Sequence, residues 1–247
     1  MISPDMKRDA HLFLKDFHKV LGDQLPAAGS MEPLIRQTTK AAKSEYTRRH
    51  LRLPEAAFLN AHVIPLLAEA ARVHANLTMA QTRDALLNEY HPSMNSISRD
   101  LPARTVKHPF SKALGAAPGA IYARWADPQN SKSIVQSCPD FALRAPFPHK
   151  IVFEGKYFSN GSLAYAQGQL VTDIYQAFFY RGLPFVDQTP RGRAGWDYDY
   201  SCLLAYDASP QGTLQTAWTD LPDKVKRSFW EGANIYVMIL GRQGRAA

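Results

Sequence analysis

Cysteine is scarce in this chain. Its 247 residues include two, Cys138 and Cys202, which form no C-x-x-C pair and lie in apolar runs. That excludes a disulfide scaffold and predicts buried free thiols in a reducing compartment. Long apolar runs are also missing. No stretch of eighteen consecutive apolar residues occurs, so no membrane-crossing helix is expected. The opening MISPDMKRDAHLFLKDF carries charges throughout and lacks the apolar centre of a signal peptide. A cytoplasmic location is the expectation. The eight histidines are scattered, with no H-x-x-x-H or H-E-x-x-H, so local spacing gives no reason to expect a histidine or cysteine metal site. There is no repeat and no low-complexity tract.

Acidic residues are the minority among the charges. Lysine and arginine number 29 against 22 aspartates and glutamates, for a net charge of +7 and a pI near 9.4. Such a balance suits a polyanionic partner, above all nucleic acid. The hydrophobic content, 45%, is enough for one large domain or a core domain with a helical appendage.

Periodicity divides the chain. Residues 4–25 read as a helix whose apolar face holds Leu12, Phe13, Phe17, Val20 and Leu21. Residues 32–52 read as a second, strongly basic helix. A third starts at Pro54 with a kink expected at Pro65, and a fourth covers 78–90. The first ninety residues are thus expected to be an all-helical region for DNA contact or dimerisation. Residues 91–130, rich in turn formers, read as a connector. From 131 to 247 the pattern becomes mixed. SIVQSCPDFAL and KIVFEGKYF are strand-like, a helix follows from about 163, and then come a strand at 198–207, a helix at 221–231 and a strand at 234–240. The expected fold class is α/β, or mixed α+β, with a central mixed sheet flanked by helices.

Within the two strand-like segments lie Pro139-Asp140 and, thirteen residues further on, Glu154-Gly155-Lys156. Side chains alternate along a strand, so Glu154 and Lys156 share one face while Ile151, Phe153 and Tyr157 share the other. A hairpin centred on Phe147 sets Asp140 opposite Glu154. Two facing carboxylates repel unless something positive joins them. A divalent ion answers that need, because hard Mg²⁺ takes carboxylate and water oxygens. Taken singly, the same residues also read as a solvated pair on a half-exposed strand.

The pattern carried by Pro139, Asp140, Glu154 and Lys156 resembles the PD-(D/E)xK nuclease superfamily, which includes most type II restriction endonucleases. The resemblance spans residues 130–207, and the order of strand hairpin, helix and strand is similar to that family's core. It implies a restriction-endonuclease-like catalytic core over 131–247. It further implies that Asp140 and Glu154 bind Mg²⁺ (or Mn²⁺ in its place), with the Gly155 carbonyl as a third ligand, and that Lys156 assists the attacking water. Family members often add a glutamate from an earlier helix. Glu45, Glu69 and Glu89 are the candidates, with Glu69 preferred because its helix is apolar. Some branches place a glutamine and a tyrosine on the following helix. Gln169 is the candidate, but Tyr175 follows it by six residues rather than four.

The implied function is site-specific cleavage of double-stranded DNA by a homodimer, one active centre per strand. A nuclease-like protein that binds DNA without cutting it is the alternative, as is a repair, phage or toxin nuclease. Arg191 and Arg193, flanking a glycine, are candidate DNA contacts because arginine pairs bidentately with guanine or phosphate. Trp196 in the same segment could stack or anchor the loop.

Overall fold

The structure, a computed structural model, describes residues 2–48, 53–88, 140–159, 161–181 and 198–241. Helix α1 (Pro4–Gln24) starts where the Ser3 hydroxyl accepts from the Met6 N–H at 3.2 Å, and it buries Ala10, Phe13, Leu14, Phe17 and Leu21. Leu12, expected on that face, is exposed. Helix α2 (Ala28–Arg48) follows. Next comes one continuous helical rod in three parts: α3 (Leu53–Phe58), a π-helical turn (Leu59–Val63) and α4 (Ile64–His74). In the π turn the Ile64 N–H reaches back to the Leu59 carbonyl. The wide turn lies directly before Pro65, where a regular helix would clash with the proline ring.

Helix α5 (Met79–Ala85) opens with a capping box between Thr78 and Gln81. The helix expected over 78–90 does not run on. Residues Leu86–Asn88 form strand β1, pairing antiparallel with β2 (Phe141–Leu143). The short apolar run fits either state by pattern. Pairing with buried Ala142 and Leu143 decides it as strand. The region before residue 90 is therefore not all helix.

Strand β2 pairs antiparallel with β3 (Ile151–Phe158). Helix α6 (Leu163–Arg181) leads to β4 (Tyr200–Asp207), which lies parallel to β3. Two shorter helices, α7 (Thr213–Thr219) and α8 (Asp223–Ala233), precede β5 (Ile235–Gly241), parallel to β4. The sheet order is β1-β2-β3-β4-β5, antiparallel on one side and parallel on the other. The chain is thus a mixed α/β protein with a five-stranded mixed sheet. Helix α7 had no counterpart among the expected elements.

Both sheet faces are covered. Tyr200, Cys202, Leu204 and Tyr206 of β4 join Ile151 and Phe153 of β3 in one apolar cluster with α1, α3 and α4. The alternate residues Leu203 and Ala205 join Phe158, α6 and α7 in a second cluster. β4, buried along its whole length, reads as the nearly continuous apolar run of a central parallel strand. The rod Pro54–His74 is long and apolar enough by composition to cross a membrane. Here it serves as a core helix, with Ala56, Ala57, Leu59, Val63, Ile64, Leu67 and Ala71 buried in the first cluster. The first cluster draws on both the N-terminal helices and the sheet.

Candidate metal centre beside strand β3

The β2–β3 register is Phe141 with Phe153, Ala142 with Val152 and Leu143 with Ile151. This is the hairpin centred on Phe147, and one step further along it Asp140 faces Glu154. β2 is three residues long and β3 is eight. Among the described residues, β3 has no β2 partner on that side from Glu154 onward. Asp140 fills the first vacant position: the Gly155 N–H donates to its Oδ2 at 2.7 Å. The carboxylate thus takes the place of a strand carbonyl.

Glu154 and Lys156 lie on the sheet face covered by α6, between Val152 and Phe158 on the same alternation. Glu154 is 3% exposed, and its Oε1 accepts from the Lys156 ammonium. Its other oxygen, Oε2, is buried and has no hydrogen-bond partner among the described residues. Lys156 Nζ also lies 4.0 Å from Oε2 of Glu55, a buried residue in the first turn of α3.

From the overlying helix α6, Gln169 Nε2 donates to Asp173 Oδ1 at 2.7 Å. Asp173 is buried and close enough for Lys156 to feel its charge. Burial pushes the Glu154 carboxyl well above its ordinary value. The charge of Asp140 adds to that push, and Lys156 opposes it. For Lys156, burial works to lower the ammonium. The carboxylates of Glu154, Glu55, Asp140 and Asp173 outweigh it and hold Lys156 well above its usual value. Four carboxylates therefore surround one ammonium.

That charge set, with an orphaned buried carboxylate oxygen, fits a hard divalent cation bound through oxygen. The structure brings Asp140, Glu154, Gly155 and Lys156 together and sets Gln169 on the helix that covers them. Glu69 is elsewhere. It is exposed, and both its oxygens accept from Arg72, at 2.8 and 2.7 Å. The earlier-helix acid beside Lys156 is Glu55.

The π turn explains the difference. In a regular helix, fourteen steps would leave Glu55 and Glu69 only about 40° apart. A π turn acts as one extra residue and widens this to about 140°. Glu55 then aligns with buried Leu59, Val63 and Leu67, and Glu69 turns to solvent. The side chain of Glu45, and all of Glu89, Arg191, Arg193, Trp196 and Cys138, lie outside the described residues.

Glycine at position 155 has a local cause. A Cβ there would collide with the Leu59 side chain of the π turn. The missing side chain lets the rod close onto β3, and Glu55 on that rod comes within 4.0 Å of the Lys156 ammonium. Asp173 was not among the expected site residues. Its signal was the single acid of that helix, four residues after Gln169.

No family model, curated protein or solved structure matches the chain.

Proposed function

We propose that this protein is a Mg²⁺-dependent endonuclease that hydrolyses phosphodiester bonds of double-stranded DNA, of the type II restriction kind. The observation that carries the reading is the carboxylate cluster around Lys156, with Oε2 of Glu154 buried and unpartnered. Without a cation, burial holds Glu154 toward its neutral form, and a bound divalent ion would let the cluster stay ionised. The order strand hairpin, helix, parallel strand supports the same reading, as does the net charge of +7.

Asp140 and Glu154 would hold the ion, with Glu55 beside them and the Gly155 carbonyl as a further oxygen. When bound, Mg²⁺ would supply a Lewis acid for the phosphate and favour ionisation of water. Lys156, held above its usual value by its neighbours, acts as a charged donor. It orients the attacking water and offsets negative charge gathering on the phosphate oxygens. Asp173 holds the Gln169 amide in place on α6. A two-fold dimer would give one such centre to each DNA strand.

The test is incubation of supercoiled plasmid and mixed genomic DNA with the purified protein and Mg²⁺ or Mn²⁺. Discrete genomic bands are expected, with cutting lost and binding kept in Lys156→Ala. Intact DNA under both metals, or normal cutting by Lys156→Ala, overturns the proposal. Salt-sensitive binding without cutting would instead select a DNA-binding role.

A further inference from the structure

A second cluster lies on the other side of the sheet, where the loop between β2 and β3 meets α1 and α4. Asp9 of α1, His74 at the end of α4 and His149 just before β3 converge there. Asp9 Oδ2 is 2.7 Å from Nε2 of His149 and 3.3 Å from Nε2 of His74. One ligand atom from each of the three falls within 4.8 Å of the others. We propose that Asp9, His74 and His149 bind a borderline divalent transition ion of the zinc class, which clamps the β2–β3 loop to the two helices.

The chemistry of the donors selects the ion. Two imidazoles and one carboxylate suit zinc and its neighbours and do not suit Mg²⁺. Bonds of about 2.0–2.1 Å in tetrahedral geometry separate ligand atoms by roughly 3.3 Å. The His74 contact already has that spacing. The His149 contact must open by roughly half an ångström, and Asp9, half exposed, is the member free to move. Its exposure also leaves room for water as the fourth ligand.

The rings are fixed in advance. His149 is 2% exposed and meets Phe147 and Tyr200 edge-on, while His74 packs on Phe13 and Phe147. Nδ1 of His149 has no partner. With Nε2 engaged either by Asp9 alone or by an ion, that count does not change. The three ligands come from residues 9, 74 and 149, so no local spacing could have revealed them. The inference does not depend on the proposed nuclease activity.

The test is calorimetric titration of chelator-treated full-length protein with Zn²⁺ in excess Mg²⁺, paired with Co²⁺ absorption spectra. One site with a submicromolar Kd and the visible bands of four-coordinate Co²⁺ are expected. Asp9→Asn and His74→Gln should each weaken Zn²⁺ binding about 10- to 100-fold. Both residues are more accessible than His149, whose replacement risks the fold. Glu154→Gln should bind Zn²⁺ as the wild type does. No submicromolar binding, unchanged binding in both His-site variants, or loss of binding in Glu154→Gln each overturns the assignment. The first of these outcomes would leave two hydrogen bonds to Asp9 as the whole role of the cluster.

Discussion

The Asp140 carboxylate accepts the backbone N–H of Gly155 on β3 at 2.7 Å. Asp140 therefore has a structural duty beside its proposed metal-binding one, and the two can be separated. Asp140→Asn keeps an oxygen acceptor but loses the charge, so it should fold nearly as stably and lose DNA cutting. Asp140→Ala also strands the N–H and should cost a further ~1–3 kcal/mol in urea unfolding. Equal stability of the two variants would show that the bond contributes nothing.

Glu154 should make stability depend on pH and metal together. Its carboxyl is raised well above the ordinary value by burial and by Asp140, so the metal-free fold favours the neutral form. The stability this contributes is fully present below about pH 4.3, the unfolded value, and is lost as pH rises through the raised folded value. Lys156, raised rather than lowered, stays charged throughout. A divalent ion binds the ionised carboxylate and reverses the loss. The rise in melting temperature caused by Mg²⁺ should grow as pH rises above the ordinary glutamate range and shrink in Glu154→Gln. A pH-independent rise, equal in both proteins, would count against the ion site.

Glu55 and Glu69 should respond in opposite ways. Glu55→Gln removes a buried acid 4.0 Å from the Lys156 ammonium and should reduce Mg²⁺-dependent cutting about 10- to 100-fold. Glu69→Gln loosens only a solvent-exposed pair with Arg72. It should leave both cutting and the melting temperature unchanged. Parallel nicking assays and melts of the two variants make the comparison.

Gly155→Ala should destabilise by ~1–3 kcal/mol, because its methyl meets Leu59. Shortening the obstacle in Leu59→Ala should relieve part of that loss. A double-mutant cycle should show a coupling of at least ~0.5 kcal/mol. Strictly additive effects would mean that the two residues do not press on each other.

The β2–β3 pairing could be read from the sequence because Glu154 and Lys156 alternate with apolar residues along β3. Ile151 and Phe153 point to one core and Glu154 and Lys156 to the other face, and the Phe147-centred hairpin left a single register. Helix α6 was equally plain from Ala166, Leu170, Ile174 and Ala177, all buried. Two things were hidden. Leu86 and Leu87 carry no period of their own, and only pairing with β2 makes them a strand. Glu55 and Glu69 look equivalent on a regular helical wheel, and the π turn between them leaves no mark in residue type beyond the proline that follows it. Asp173 was overlooked because an acid in the middle of a helix normally belongs to solvent.

The wide turn at Leu59–Val63 also restricts how this gene product can vary. Point substitutions there need only preserve bulk. Relaxing the turn to ordinary helical spacing at unchanged chain length would swing everything on one side of it by about 100°. Either Glu55 would swing out of its place beside Lys156, or Leu67 and Ala71 would leave the interior. Loss of one residue at the turn should therefore be tolerated, because it restores regular spacing with Glu55 still in line with Leu67, whereas gain of one residue should not.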